Sequence, residues 1–343
     1  MKISYLILEV IICLVLISCT KSVNDSIILK EFPRNEETNY SLGWFPQNPI
    51  NIEELNSEYD DYNSFLPVIG SRIELYYSTN KNSNGEVFNI SSRCIDAFFN
   101  YEDSVFNFNV TNDYPHYSYQ LLPRINTTYN EVGPFSFENL NDLWIFLYAN
   151  DSLEQFDIQF AYTYKSDWGH SDSQRKIFGP FSGNVFNSSF DDFYPTIDKE
   201  NSMFYFSSNR DYNYDIYEIN ISDSNIVEWL ENGSDFPVIC QNLSSSYDDK
   251  CPYINDNLLV FSSNCKSGYG GYDLWYSLYE NGEWSAPHNF GSRINTEFDE
   301  YRPAIAFFRD SNNDLMIFSS NRPGGKGGFD LYYVGISKMI NTN

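Results

Sequence analysis

Three stretches of the chain share one arrangement of apolar and polar positions. Residues 203–206 (MFYF), 258–261 (LLVF) and 315–318 (LMIF) are short apolar runs, each followed at once by Ser-Ser-Asn. A loop intervenes, and the chain resumes as Tyr214-Asp215-Ile216-Tyr217, Tyr272-Asp273-Leu274-Trp275 and Phe329-Asp330-Leu331-Tyr332. Apolar runs this short, bounded by turn residues and rich in aromatics, predict antiparallel strands. Ahead of each pair stand two acids, Asp191-Asp192, Asp248-Asp249 and Asp299-Glu300, with Pro195, Pro252 and Pro303 shortly after.

The unit is therefore a repeat. Its clear copies span 191–219, 247–279 and 298–336, and weaker ones lie near 60–90 and 112–160. In the second weak copy "NDYPHYS" (112–118) leads, after an insertion, to "NDLWIFLYANDSLEQFDIQF" (141–160). The strand-ending positions Ser78, Tyr148, Ser208, Ser263 and Ser320 recur every 55 to 70 residues, the length of one four-stranded propeller blade with its loops. The glycine-rich "NRPGGKGGFD" (321–330) raises the alternative of a phosphate cradle. It returns as "GYGGYD" (268–273) and loses its glycines in "NRDYNYD" (209–215), so it is punctuation between strands.

These repeats predict an all-β chain forming a single β-propeller over residues 40–343, with five blades and a sixth left open. The last copy lacks a fourth strand, and "GWFPQNPINIEELNSEYDDY" (43–62) matches "GEWSAPHNFGSRINTEFDEY" (282–301), with Leu55-Asn56-Ser57 falling near Ile294-Asn295-Thr296. The N-terminal segment is expected to complete the last blade and remove the open edges of the ring. Composition agrees: aromatics make up 18% of the 343 residues and charged residues only 20%, a mix suited to half-buried strands. A formal net charge of −26 excludes nucleic acid as a partner and disfavours docking on anionic lipid headgroups.

Asp-Glu-x-x-x-Pro, then Phe-Ser-Ser-Asn-Arg, then Gly-Gly-x-Asp-aromatic resembles the WD-like repeats of TolB-type propellers of bacterial envelope proteins. The resemblance covers roughly residues 40 to 336. It implies a platform for protein partners, recruited in trans. The N-terminus opens with Lys2, runs through a short apolar stretch and closes as Leu16-Ile17-Ser18-Cys19, which resembles a bacterial lipobox. That implies a signal peptide over 1–18, acylation of Cys19, a leash over 19–39, and, because Thr20 rather than Asp follows, a lipid-anchored protein of the outer membrane.

The repeated polar residues are candidates for a binding face or for repeat architecture: Asp191, Asp192, Asp248, Asp249, Asp299, Glu300, Arg210 and Arg322. Recurrence in every blade favours hydrogen bonding of loop N–H groups. Asp215, Asp273 and Asp330 read the same way. In the functional reading a ring of carboxylates binds Ca²⁺, a cation or a sugar, but no dense Asp-x-Asp ladder is present. Of the cysteines beyond residue 19, Cys94, Cys240, Cys251 and Cys265, the pair Cys251–Cys265 occupies the slots of Arg302 and Arg322 and is a candidate disulfide. No zinc spacing involves His116, His170 or His288, and no metal or cofactor is expected. Neither Gly-x-Ser-x-Gly nor His-Glu-x-x-His occurs. The expectation is a non-catalytic interaction platform. The alternatives are glycan binding, with aromatic loops around Trp168 and Trp229 as stacking surfaces, and a five-bladed glycoside hydrolase using axial carboxylates.

Overall fold

The computed structural model describes residues 43–339, apart from 67, 70–71, 101, 103–104, 112, 114–117, 139–142, 165–175, 201 and 309–310. The signal segment 1–18, Cys19, the leash to residue 39, His116, His170 and Trp168 lie outside the described residues.

Five antiparallel sheets follow one another along the chain. Their inner strands are Asp61–Phe65, Glu131–Glu138, Asp192–Asp198, Asp249–Asn255 and Glu300–Ala306. Each inner strand contacts the next, and the fifth contacts the first, so the sheets close as a five-bladed propeller. The fourth strand of blade 5 is Ile50–Asn51, which pairs with Tyr332 and Tyr333. The sixth-blade alternative is therefore replaced by five blades with the expected closure.

The alignment of 43–62 with 282–301 is reproduced around Asn56 and Asn295. Asn56 donates to the Leu331 carbonyl and accepts the Leu331 N–H, at 2.9 and 2.8 Å. Asn295 makes the same two bonds with Leu274 at 3.0 and 2.8 Å. Asn126 does so with Ile90, Asn187 with Ile158, and Ser244 with Ile216. In every blade a side chain thus pairs with the third strand in place of backbone, satisfying groups that would otherwise lack a partner.

The proline of the motif also has a structural cause. All five inner strands carry a register shift between their second and fifth residues or thereabouts. The third residue of each has positive φ: Asn63 (58°), Gly133 (63°), Tyr194 (59°), Cys251 (59°) and Arg302 (48°). Pro134, Pro195, Pro252 and Pro303 follow. They sit within a bulge on an edge strand, where a missing N–H is tolerated. Positive φ in non-glycine residues is costly. Its repetition means that the bulge is imposed by the ring.

Between blades the aromatics form the core. Trp229, in the helix Ile226–Asn232, stacks on Phe204 at 5.6 Å and meets Phe186 edge-on. It is 1% exposed, so this tryptophan is packing and not a stacking surface for glycans. The second blade differs from the sequence expectation. Its inner strand begins at Glu131, not in "NDYPHYS", and the helix Ser118–Ile125 occupies the insertion. No helix among the described residues is long and apolar enough to cross a membrane.

Candidate functional site

The acidic pairs divide into two concentric rings at the end of the propeller where the inner strands begin. The second member of each pair is the first residue of an inner strand and is buried: Asp61, Glu131, Asp192, Asp249 and Glu300. Its carboxylate accepts the N–H of a Ser or Thr four residues earlier. The donors are Ser57 (2.6 Å), Thr127 (3.1 Å), Ser188 (2.6 Å), Ser245 (2.6 Å) and Thr296 (2.8 Å). The first member reaches to the preceding blade and accepts the N–H that opens its third strand. Asp60 accepts from Phe329, Asn130 from Phe88, Asp191 from Phe156, Asp248 from Tyr214 and Asp299 from Tyr272, at 2.7 to 3.1 Å. One acid ties down its own turn, and its neighbour ties blade to blade. Asn130 shows why the second copy is obscure: an amide does the outer carboxylate's work.

The glycine loops serve the same joint. A Cβ on Gly271 would run into Asp299, and one on Gly328 into Asp60. Only a bare backbone passes that close. In the loop that lacks glycine, Asn213 donates to the Tyr247 carbonyl at 2.8 Å instead. Asp273 accepts the Tyr269 and Gly270 N–H groups, and Asp330 those of Lys326 and Gly327. Asp215 is held by Asn213 at 3.2 Å.

Arg210 and Arg322 lie over the inner ring. Arg210 pairs with Asp192 at 2.5 Å and Arg322 with Glu300 at 2.9 Å. Each guanidinium also donates to a backbone carbonyl, Phe186 and Ile294 respectively, and lies against the rings of Phe206 and Tyr217 or of Phe318 and Tyr332. In blade 4 that slot is Cys265, and burial without a cation pushes the Asp249 carboxyl up to about 7. Burial also raises Glu131, Glu300 and Asp273, and takes Asp215 to about 6. The Cys251–Cys265 disulfide is not formed, since Cys251 is a free thiol. Its positive φ turns it into the axial cluster with Tyr194 and Phe193, whereas Cys265 packs between blades with Tyr205, Trp275 and Trp284.

Inside the two rings the mouth of the axis is aromatic. Tyr62, Phe88, Phe156, Phe193, Tyr214 and Tyr301 pack as one cluster. Tyr214 links two acids, donating its hydroxyl to Asp191 at 2.6 Å and its N–H to Asp248 at 3.1 Å. Tyr272 donates its hydroxyl to Asp248 at 2.8 Å. Lys250 lies over the Tyr214 ring at 3.6 Å and near Tyr272 at 5.3 Å, and burial lowers its pKa. Lys250 replaces the Tyr62, Val132, Phe193 or Tyr301 of the other blades, so the mouth carries a cation where blades 3 and 4 meet. Sequence inspection passed over Lys250, Tyr214, Tyr272 and Arg302. The available signal was departure from the repeat, because Lys250 and Arg302 stand where other copies carry different chemistry. His288 is on an outer strand, stacked on Tyr276, away from any carboxylate pair. Among the described residues no group of His, Cys, Asp and Glu is arranged to hold a metal ion.

No family model matches the chain, and no curated protein matches it either. Solved structures do match. A protein described as a glycoside hydrolase superposes with a TM-score of 0.57 at 7% identity, covering 88% of this chain and 95% of its own. The endo-arabinase from Bacteroides thetaiotaomicron VPI-5482 superposes with a TM-score of 0.50 at 12% identity, covering 84% of this chain and 97% of its own. At such identity the likeness shows the fold: a β-propeller, with the TolB-type assignment unsupported. It also overturns the two functional expectations. The protein-docking platform follows from the TolB-type resemblance, and the exclusion of an enzyme from the absence of Gly-x-Ser-x-Gly and His-Glu-x-x-His. The neighbours of the five-bladed form are carbohydrate-acting enzymes.

Proposed function

We propose that the protein is a glycoside hydrolase acting on a neutral glycan at the axial mouth. The observation that carries this is Tyr214, which holds Asp191 and Asp248 together under an aromatic wall. Aromatic faces suit the C–H faces of sugars, and carboxylates at the rim suit their hydroxyls. A net charge of −26 disfavours uronate or sulfated chains. Asp191 and Asp248 supply the two carboxyl groups that glycoside hydrolysis requires, one protonating the leaving oxygen and the other activating water or attacking the sugar. Lys250, between the tyrosines, keeps negative charge tolerable at this part of the rim.

The test is release of reducing sugar from a panel of purified polysaccharides. Asp191→Asn and Asp248→Asn are each expected to lower the rate by at least about 100-fold, with unchanged melting curves. Asp299→Asn, at the equivalent rim position of blade 5 but without a tyrosine hydroxyl, keeps the activity. Release that survives both substitutions, or binding to a glycan with no release at all, defeats the proposal. The lipid-anchored envelope location belongs to the same proposal, supported by Leu16-Ile17-Ser18-Cys19. Metabolic labelling with a palmitate analogue, lost in Cys19→Ala, checks it.

A further inference from the structure

Arg302 is a fully buried arginine, 0% exposed, at the centre of the ring. Its guanidinium spans the axis, donating to the Pro252 carbonyl of blade 4 and the Pro134 carbonyl of blade 2, both at 3.3 Å. It lies over the Tyr194 ring at 5.0 Å. Its Nε has no hydrogen-bond partner. Asn63, also 0% exposed, has its side chain against Tyr62 and Tyr194. Asn63 and Arg302 occupy the same bulge position in adjacent blades.

A buried guanidinium cannot escape its charge by losing a proton, and an unpaired buried charge is costly. Its companion ion pairs, Arg210–Asp192 and Arg322–Glu300, have carboxylates. Arg302 has two neutral carbonyls. The other titratable neighbours do not supply a negative charge. Burial pushes the Cys251 thiol up to about 12 and raises Tyr62, Tyr194, Tyr253 and Tyr301, so all five are neutral near pH 7.

We propose that a small monovalent anion of the chloride class is bound on the propeller axis, held by Arg302 Nε. It neutralises the guanidinium and takes up the Nε–H that the protein leaves unmatched. Arg302 is closed off from solvent, so this ion is a resident part of the ring, separate from the glycan mouth and independent of the proposed hydrolysis.

The full chain, purified in sodium gluconate, is titrated with sodium chloride or bromide at constant ionic strength while its melting temperature is followed. A saturable rise is expected with either halide. In Arg302→Lys, which keeps the positive charge and removes the Nε–H, the half-saturating concentration is expected to rise about tenfold, the value of one hydrogen bond to a charge. Arg302→Met loses the response. Crystals grown in bromide are expected to show an anomalous peak on the axis within hydrogen-bond distance of Arg302 Nε. A melting temperature that follows ionic strength alone, or an ordinary water at that place in bromide crystals, overturns the proposal. If Arg302→Met does not fold, the wild-type bromide crystal and Arg302→Lys decide it.

Discussion

Asp249 offers a quantitative check on how the inner ring is balanced. Its carboxylate is 2% exposed and accepts the Ser245 N–H at 2.6 Å, yet it lacks the arginine that covers its counterparts in blades 3 and 5. Burial raises its pKa from 3.8 to about 7. The folded state therefore holds this proton more tightly than the unfolded state does. The contribution to stability is complete below about pH 4 and is lost as the pH climbs through 7. Each tenfold change in proton affinity is worth about 1.4 kcal/mol, so the rise amounts to a loss of about 4 kcal/mol across that window. Asp249→Asn removes the titration while keeping an oxygen for the Ser245 N–H and gaining a donor for the Ser263 hydroxyl. At pH 8 the variant is expected to be more stable than wild type by about 2 to 4 kcal/mol, and at pH 4 equal to it within about 1 kcal/mol. Urea unfolding followed by tryptophan fluorescence at each pH from 4 to 8 measures the difference. A gap between the two proteins that does not change with pH would show that Asp249 is ionised in the fold without cost, and the account of the missing arginine would fail.

Three further outcomes follow from the same architecture. Arg210→Met strands Asp192 in blade 3 and is expected to cost about 3 kcal/mol at pH 8 and less at pH 4, read by the same unfolding series. Asn56→Ala removes both bonds to Leu331 and is expected to cost about 2 kcal/mol, with faster amide exchange at Leu331 and Tyr333; equal exchange in the variant would deny the closure its role. Gly327→Ala drives a methyl into the Tyr59 carbonyl and is expected to cost more than about 2 kcal/mol, whereas Gly282→Ala, with φ of 89° but open space around it, costs about 1 kcal/mol; paired melting curves compare them.

Much of the fold was legible because each blade repeats its polar joints. Ser-Ser-Asn, the acidic pair and Gly-Gly-x-Asp are solutions to one corner, so their period gave the blade number. The closure was legible through Asn56 and Asn295, whose spacing from the following acids is the same. The second blade was not, because Asn130 replaces the outer acid and the inserted helix Ser118–Ile125 displaces it from the expected spacing. The site was less legible than the fold. Tyr214 and Lys250 lie apart in sequence and meet only where blades 3 and 4 pack together, and their chemistry, like that of Arg302 on the axis, lies in how they differ from the other copies. The disulfide expectation failed for a related reason. Equivalent slots at one blade end say nothing about direction, and the bulge at Cys251 turns it towards the axis.

The pairing of Ile50–Asn51 with Tyr332 and Tyr333 sets a timetable for biogenesis. The first strand of the described residues is the last to find its mate, because more than 270 residues separate them in the chain. Until then blades 1 to 4 can assemble in order, but the circle stays an open arc with two sticky margins. A nascent chain stalled or clipped before Tyr333 would expose both margins at once and invite pairing with a neighbour's strand, so loss of even the final strand should be felt as aggregation and not as a slightly looser monomer.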